Sequence, residues 1–280
     1  MTLSQFVSQS IRALQTIYPE YEARNIVSAL CSQRLHVQPW AYLTEPQTPI
    51  SGQDADSLGS DMERLLDCEP LQYVLGKADF YGRTFSVGPG VLVPRPETEM
   101  LVEKVLSFAR TLEGNVSILD LCTGSGCIAW TLQKELPCSE VVAVDVSEEA
   151  LSYARRQFVQ GPSPRFELCD VLSGVSIPGS FDIVVSNPPY VMEKEKTLMR
   201  RNVLDWEPGL ALFVPDSDPL LFYRAVARWS KALMTARGRG FVEMNESLGV
   251  ETAAVFEASG YRDVSVFPDL SGRNRFVTFG

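Results

Sequence analysis

The protein has 280 residues, and its composition already excludes several classes of protein. Hydrophobic residues make up 45% of the chain and charged residues 21%, as in ordinary globular proteins and unlike disordered ones. The formal net charge of −10 disfavours a long footprint on DNA or RNA, because the phosphates and the protein would repel each other. At roughly 150 residues per domain, the length predicts about two domains.

The sequence also lacks the usual signals for export, membrane insertion and metal binding. It opens without a cationic and apolar leader, and no uncharged apolar run reaches the roughly 18 residues of a membrane span, so we expect a cytoplasmic protein. The six cysteines form no Cys-x-x-Cys pair and His36 is the one histidine, so we predict no metal site. We interpret the cysteines as reduced and mostly buried, and His36 as structural.

The first part of the chain has the periodicity of helices. Apolar residues at spacings of three and four predict a helix over Leu3–Leu14, a second helix after Pro19 and a third over 53–67. We therefore assign residues 1–76 to a small helical domain.

Between Phe80 and Val93, aromatic and β-branched residues are separated by glycines. This pattern predicts two short strands, over 80–87 and 91–93, around a turn at Gly88-Pro89-Gly90. We interpret this hairpin as the join between the domains, and assign 77–280 to the hairpin together with a second domain.

From Pro94 onward, short apolar runs alternate with helical patterns, which predicts an α/β fold with a mostly parallel sheet. The predicted strands are 117–121, 141–145, 165–168, 181–186, 240–244, 264–267 and 276–279. The predicted helices are 97–112, 126–136, 148–160, 219–235 and 247–258.

A glycine-containing loop joins the predicted strand 117–121 to the helix that follows it. Glycines there allow backbone N–H groups to face a ligand without a Cβ in the way. The spacing Gly124-x-Gly126-x-x-Ala129 also satisfies the dinucleotide fingerprint, so the loop alone does not identify its ligand. The loop residues are Cys122, Thr123, Gly124, Ser125 and Gly126.

An acidic residue, Asp145, ends the next predicted strand. A carboxylate in this place can accept hydrogen bonds from both hydroxyls of an adenosine ribose. Capping the following helix is the other role open to it, and Ser147 is better suited to that role. NAD and S-adenosylmethionine both carry the ribose, so Asp145 does not distinguish between them.

The run Asn187-Pro188-Pro189-Tyr190 follows the predicted strand 181–186. The Pro188 carbonyl and the Asn187 side-chain carbonyl can together accept two hydrogens of a planar NH2 group, on which Tyr190 can stack. An amide or aryl amine nitrogen is a poor nucleophile, so holding and orienting it addresses the difficulty of its methylation.

These motifs in this order resemble the Class I S-adenosylmethionine-dependent methyltransferases that act on exocyclic or amide nitrogen. Further segments are similar to those of the release factor glutamine methyltransferase family (PrmC/HemK), over a stretch from roughly residue 69 to the end. They are residues 69–76, 80–82, 91–99, 206–208, 211–213 and 269–275.

The resemblance implies a Rossmann-like, mostly parallel seven-stranded sheet. It also implies methyl transfer from S-adenosylmethionine, with S-adenosylhomocysteine as product, to the side-chain amide nitrogen of the Gly-Gly-Gln glutamine in class I peptide chain release factors. The helical N-terminal domain would help to dock this protein substrate. We expect a monomer with no stable nucleic-acid partner and no membrane association.

The resemblance also assigns residues to roles. The loop Cys122 to Gly126 would line the methionine and ribose part of the cofactor, and Asp145 would bind the ribose hydroxyls. Asp170 and Val171 would flank the adenine. The residues that would hold the glutamine are Asn187, Pro188, Pro189 and Tyr190, of which Asn187, Pro188 and Tyr190 would be catalytic and Asn187 would also face the cofactor.

Several positions depart from the family pattern or keep two interpretations. Cys122 stands where the family usually has glycine, and Val171 where some members have an aromatic residue. Val214 follows Phe213 where Gly-Gly is more usual, and Met244-Asn245 replaces an apolar-Gly ending after Glu243, which we assign no catalytic role. Arg95 either belongs to a helix N-terminus with a salt bridge to Glu97 or Glu99, or shapes the mouth of the site.

Two other functions remain open at this point. An adenine-N6 or guanine-N2 nucleic-acid methyltransferase would present the same acceptors to a flipped base, but it should show a basic groove or a recognition domain, and neither is evident. An NAD-dependent dehydrogenase would share the glycine loop and Asp145. It would leave Asn187-Pro188-Pro189-Tyr190 without a purpose.

Overall fold

The computed structural model describes residues 1–158 and 160–280. The α-helices of this part of the chain are α1 (Leu3–Leu14), α2 (Glu20–Leu35), α3 (Ala41–Thr44), α4 (Gly52–Leu66), α5 (Leu71–Leu75), α6 (Pro96–Ala109), α7 (Cys127–Glu135), α8 (Glu148–Arg155), α9 (Arg201–Leu204), α10 (Leu221–Leu233) and α11 (Gly249–Ala258). Short 3-10 helices lie at Glu193–Leu198, Gly209–Ala211 and Glu246–Leu248.

The strands of the described residues are β1 (Lys77–Phe80), β2 (Arg83–Ser86), β3 (Ser117–Leu121), β4 (Glu140–Asp145), β5 (Arg165–Leu168), β6 (Phe181–Ser186), β7 (Val191–Met192), β8 (Phe213–Val214), β9 (Met234–Glu243), β10 (Ser265–Pro268) and β11 (Asn274–Phe279).

The chain folds as two compact units. The first consists of Met1–Lys77 together with Arg200–Trp206, and the second of Ala78–Met199 together with Glu207–Gly280. Residues 200–206 lie in the range that the sequence assigns to the second domain. They are held in the first unit by an ion pair between Arg200 and Glu22 and by the Trp206 indole N–H, which donates to the Asp67 carbonyl at 3.1 Å.

The first unit is the helical bundle that the periodicity predicts. Thr2 caps α1 through a reciprocal pair of hydrogen bonds with Gln5, and Ser51 caps α4. The apolar faces of α1, α2 and α4 form one buried core, whose residues include Leu3, Phe6, Val27, Leu30, Leu58 and Leu65. His36 is the C-cap residue of α2, with a φ of 55°, which is consistent with a structural role.

The predicted position of the hairpin is wrong. Its strands are β1 and β2, and the turn is Tyr81-Gly82, where φ is positive at both residues (51° and 68°). A two-residue turn of this kind matches the twist of the flanking strands. Residues 91–93 form no strand, because the Val93 N–H donates to the side chain of Glu207 at 3.0 Å instead of to a ladder partner.

The sheet of the second unit confirms the predicted fold class. In the described part of the chain it has seven strands in the order β10-β11-β9-β6-β3-β4-β5. The pairs among β9, β6, β3, β4 and β5 are parallel, and β11 is antiparallel to both β9 and β10. Neighbouring residues of β3 face different cores: Ile118 packs with helices α6 and α7, and Leu119 packs with α10.

Most predicted elements of this unit agree with the structure to within a few residues. β9 begins earlier than predicted, at Met234, and the two-residue strands β7 and β8 are too short to show a periodicity. Helix α8 ends at Arg155, because the chain beyond it leaves the helical path to pack Phe158 edge-on against Trp130 and Phe85. Val159, within the predicted helix 148–160, lies outside the described residues.

Candidate active site

The predicted site motifs meet at the carboxyl ends of β3, β4 and β6. The chain crosses from β3 to β4 on one side and returns to β6 on the other, and ligands bind at such a switch point in open parallel sheets. A cavity of about 370 Å³ lies there. The predicted residues that line it are Cys122, Thr123, Gly124, Ser125, Asp145, Asp170, Val171, Asn187 and Pro189.

Three predicted residues lie apart from that cavity. Pro188 and Tyr190 line a second, smaller cavity of about 40 Å³, and Asn187 lines both cavities. Gly126 lines neither. A Cβ on Gly126 would lie 3.0 Å from the Cβ of Ala154, so this glycine permits close packing of the start of α7.

The loop after β3 is held open by its backbone. φ is positive at Cys122 (62°), Gly124 (54°) and Gly126 (78°). Glycine adopts this conformation freely, whereas a side chain makes it costly, so the glycine usual in the family at the position of Cys122 has a conformational reason. Burial, together with the charge of Asp145, raises the pKa of the Cys122 thiol well above its usual range, so the thiol is neutral.

Asp145 is held at the mouth of this loop. Its Oδ2 accepts from the Gly124 N–H at 2.8 Å and its Oδ1 from the Ser147 N–H at 2.9 Å. Burial raises the pKa of Asp145, and these backbone N–H groups oppose the rise. Each oxygen keeps a lone pair for a further donor. The side chain of Ser147 caps α8 by accepting from the Ala150 N–H, as predicted.

Asp120, within β3, leads to a pH-dependent expectation. It is fully buried, and this burial raises its pKa from 3.8 to about 7, although the Thr123 hydroxyl donates to it at 2.6 Å. As pH rises from about 4 to about 7, Asp120 ionises in the unfolded chain before it ionises in the folded one, so its contribution to stability falls. The melting temperature of Asp120→Asn, relative to wild type, should therefore rise between about pH 5 and about pH 7.5.

Asp182→Asn is the matched control, because the Arg237 guanidinium at 2.8 Å holds the pKa of Asp182 below its usual value. Asp182 is thus ionised in both states over the same pH range, and its relative melting temperature should stay constant. The same pH trend in both variants would contradict the assignment.

Asn187 and Tyr190 are anchored by residues from distant parts of the chain. The Asn187 Nδ2 donates to the Thr98 Oγ1 at 3.2 Å, and the Thr98 hydroxyl donates to Glu243 at 2.7 Å. The Tyr190 hydroxyl donates to the other oxygen of Glu243 at 2.9 Å. Burial and the charge of Glu243 raise the pKa of Tyr190 well above its usual range, so its hydroxyl keeps its proton.

The structure supports parts of both interpretations of Arg95, which is the N-cap residue of α6 and also lies at the candidate site. This residue lines both cavities, and its guanidinium is paired at 2.7 Å with Glu207, not with Glu97 or Glu99. Glu207 is buried and also accepts from the Val93 N–H. The pair therefore ties the segment before α6 to the segment that carries Leu210 and Ala211, which line the large cavity.

The apolar wall of the large cavity contains Phe222, which the sequence did not indicate as a site residue. Val171, which is buried, lies there with Leu172 and Phe222. Phe222 lies in α10, and its position in an amphipathic helix gave no separate signal. The carboxylate of Asp170 is occupied by its own turn, where it accepts from the Leu172 N–H and the Ser173 hydroxyl.

Two further findings concern absences. Within residues 1–158 and 160–280, no group of three or more histidine, cysteine or acidic side chains is arranged to hold a metal ion. Over the same residues, no helix combines the length and the apolar character that crossing a membrane would demand.

The strand order, with its antiparallel pair at one edge, and the family model that matches part of the second unit together define a Class I methyltransferase. The family model described as the methyltransferase small domain matches residues 97–204, and the model described as the PrmC N-terminal domain matches residues 5–76.

Similar proteins narrow this class to a family. A release factor glutamine methyltransferase of Bacteroides thetaiotaomicron is 43% identical, over 99% of this chain and 98% of that protein. One of Flavobacterium psychrophilum is 34% identical over the same shares. Among solved structures, the release-factor-specific protein-(glutamine-N5) methyltransferase of Alicyclobacillus acidocaldarius is 26% identical, with a TM-score of 0.42 over 70% of this chain and 98% of that one. The chain belongs to the release factor glutamine methyltransferase family.

Proposed function

We propose that this protein transfers a methyl group from S-adenosylmethionine to the side-chain amide nitrogen of the Gly-Gly-Gln glutamine in class I peptide chain release factors. The observation that carries the proposal is the position of Asn187, which lines both the large cavity and the small one. A group held there lies between a cofactor site and an acceptor site. Membership of the family supports the choice of acceptor.

The large cavity has the chemistry that S-adenosylmethionine needs. Its volume of about 370 Å³ lies within the range of ligand sites. The Asp145 carboxylate keeps acceptor capacity for ribose hydroxyls, and Val171, Leu172 and Phe222 offer an apolar wall to the adenine. The positive φ of Gly124 turns the loop so that Cys122, Thr123, Gly124 and Ser125 all line the cavity. Bound there, S-adenosylmethionine supplies an electrophilic methyl group.

The small cavity suits a planar amide. Its lining residues include Asn187, Pro188, Tyr190 and Arg95. The Asn187 and Pro188 carbonyls accept the two amide hydrogens and so orient the nitrogen toward the large cavity. The Tyr190 hydroxyl donates to Glu243, which restrains the ring that would stack on the planar amide. The nitrogen loses one proton as the methyl group is added, and water suffices to take it.

The remaining parts of the proposal concern the partner. The first unit would help to dock the release factor, and the net charge of −10 suits a partner that itself binds RNA. A release factor acts during translation, so the expected cytoplasmic location follows from this substrate. A monomer without a stable nucleic-acid partner stays our prediction.

The direct test uses purified protein, labelled S-adenosylmethionine and a release factor. We expect label on the release factor and none on the same factor with its Gly-Gly-Gln glutamine replaced by alanine, because that change removes the acceptor nitrogen. Scintillation counting and mass spectrometry of the peptide measure the result. Equal labelling of both factors would refute the proposal, and labelling of DNA or RNA instead would favour a nucleic-acid base as the acceptor.

A further inference from the structure

Glu243 is a buried acidic residue that the proposed reaction does not use directly. It is the last residue of β9, beside β6, and it is only 1% exposed. Its two oxygens accept from the hydroxyls of Thr98 and Tyr190. Thr98, in the first turn of α6, is 2% exposed and is also in contact with the side-chain amide of Asn187. Glu243 therefore connects to both polar side chains of the Asn187-Pro188-Pro189-Tyr190 turn.

The direction of these hydrogen bonds follows from counting protons. An ionised carboxylate has no hydrogen to donate, so both hydroxyls must donate to Glu243. Burial is the largest influence on Glu243 and raises its pKa, while the hydroxyls of Thr98 and Tyr190 and the positive charge of Arg275 oppose the rise and favour the ionised form. Thr98 has a single hydroxyl hydrogen and gives it to Glu243. Its oxygen can then only accept from Asn187.

This constraint decides which edge of the Asn187 amide faces the substrate. With Nδ2 held 3.2 Å from the Thr98 oxygen, Oδ1 points away from Thr98. The reversed amide would place an NH2 group against the NH2 group of the glutamine, and two donors cannot pair. We infer that Glu243, acting through Thr98, fixes the Asn187 amide with its oxygen toward the acceptor nitrogen, an inference that rests on the proposed function. Glu243 and Thr98 are then positioning residues, and the device selects an amide NH2 over a carboxylate.

Variants of Thr98 test the inference with little change of shape. Thr98→Val removes the hydroxyl and keeps the volume, whereas Thr98→Ser keeps the hydroxyl. We expect Thr98→Val to lower kcat by about 10- to 100-fold, because Asn187 is no longer held in one orientation. Thr98→Ser should stay within about threefold of wild type. Thr98 lines the large cavity, and valine preserves its volume there, so the affinity for S-adenosylmethionine, measured by calorimetry, should fall by much less than kcat in Thr98→Val and by less than about threefold in Thr98→Ser.

A second measurement is independent of turnover. In the presence of S-adenosylhomocysteine, the wild-type protein should bind an intact release factor more tightly than the same factor with Gly-Gly-Glu in place of Gly-Gly-Gln. The ratio of these two affinities should fall by about tenfold in Thr98→Val and stay near the wild-type ratio in Thr98→Ser. Glu243→Gln should lower kcat and selectivity as Thr98→Val does. The double variant Thr98→Val/Glu243→Gln should have a kcat no lower than that of the less active single variant, because both substitutions act on the same hydrogen bond.

The outcomes separate this inference from the function on which it rests. If the wild-type protein labels no release factor, the proposed function itself is refuted. If the wild-type protein labels it and Thr98→Val matches it in kcat and in selectivity, only the role of Glu243 and Thr98 is refuted. A loss of cofactor affinity as large as the loss of kcat, or an equal loss in Thr98→Ser, would show a merely structural contact and would also overturn the inference. Melting temperatures of all variants establish that they fold. If Thr98→Val does not fold, Glu243→Gln replaces it in both measurements.

Discussion

Asn187→Ala is expected to lower kcat for methyl transfer by about 100- to 1000-fold, with little change in the affinity for S-adenosylmethionine. The substitution removes the side-chain acceptor that orients the substrate amide and the donor that meets Thr98. It leaves Asp145 and the glycine loop in place. Steady-state kinetics with a release factor and calorimetry with the cofactor measure the two effects separately.

A matched asparagine provides the control for this prediction. Asn115 is exposed, precedes β3 and lies outside both cavities, so Asn115→Ala should leave kcat near the wild-type value. A loss of cofactor affinity in Asn187→Ala comparable to its loss of kcat would move Asn187 from the acceptor side to the cofactor site. Unchanged kcat would remove Asn187 from the reaction.

The second large effect concerns Asp145. Asp145→Ala should weaken S-adenosylmethionine binding by about 100-fold, because it deletes the proposed partner of the ribose hydroxyls and the acceptor that holds the Gly124 N–H. Asp145→Asn keeps one acceptor oxygen, so its affinity for S-adenosylmethionine should fall by about tenfold. Calorimetry and the rise in melting temperature caused by the cofactor both report the change.

Asp56, exposed on α4 in the first unit, is the matched acidic control, and Asp56→Ala should bind the cofactor as the wild-type protein does. At saturating cofactor, Asp145→Ala should recover most of its kcat, since the acceptor side of the site is intact. Normal cofactor affinity in Asp145→Ala would exclude the residue from the cofactor site.

The fold was largely readable from the chain because its central strands are buried. The buried strands β3 and β6 have the predicted bounds, since a short apolar run between turn residues has few other ways to bury itself. The hairpin was placed wrongly because its turn depends on Tyr81, a residue with no strong turn preference, while Gly88-Pro89-Gly90 has one. The Val93 N–H, which a strand over 91–93 would use in a ladder, donates to the Glu207 side chain instead.

The candidate site also has a part that the sequence predicts and a part that only the structure shows. Each motif sits where a strand ends, so the alternation of strands and helices alone brings Cys122, Asp145 and Asn187 to one edge of the sheet. The partners of these motifs were not predictable. Thr98 and Glu243 are 145 residues apart, and Arg95 and Glu207 are 112 residues apart. No local periodicity relates such positions.

The amino-acid sequence by itself determined the class of fold, the order of the motifs and the excess of acidic residues, because all three are properties of local patterns and of composition. The tertiary structure alone decided how the site is held. It placed Asn187 between two cavities, paired Arg95 with Glu207, and buried Glu243 where its carboxylate receives the hydroxyls of Thr98 and Tyr190. These contacts exist only once the sheet has brought distant strand ends together. Glu243 is buried there, and a buried carboxylate needs hydrogen-bond donors, which in this site are the hydroxyls of Thr98 and Tyr190.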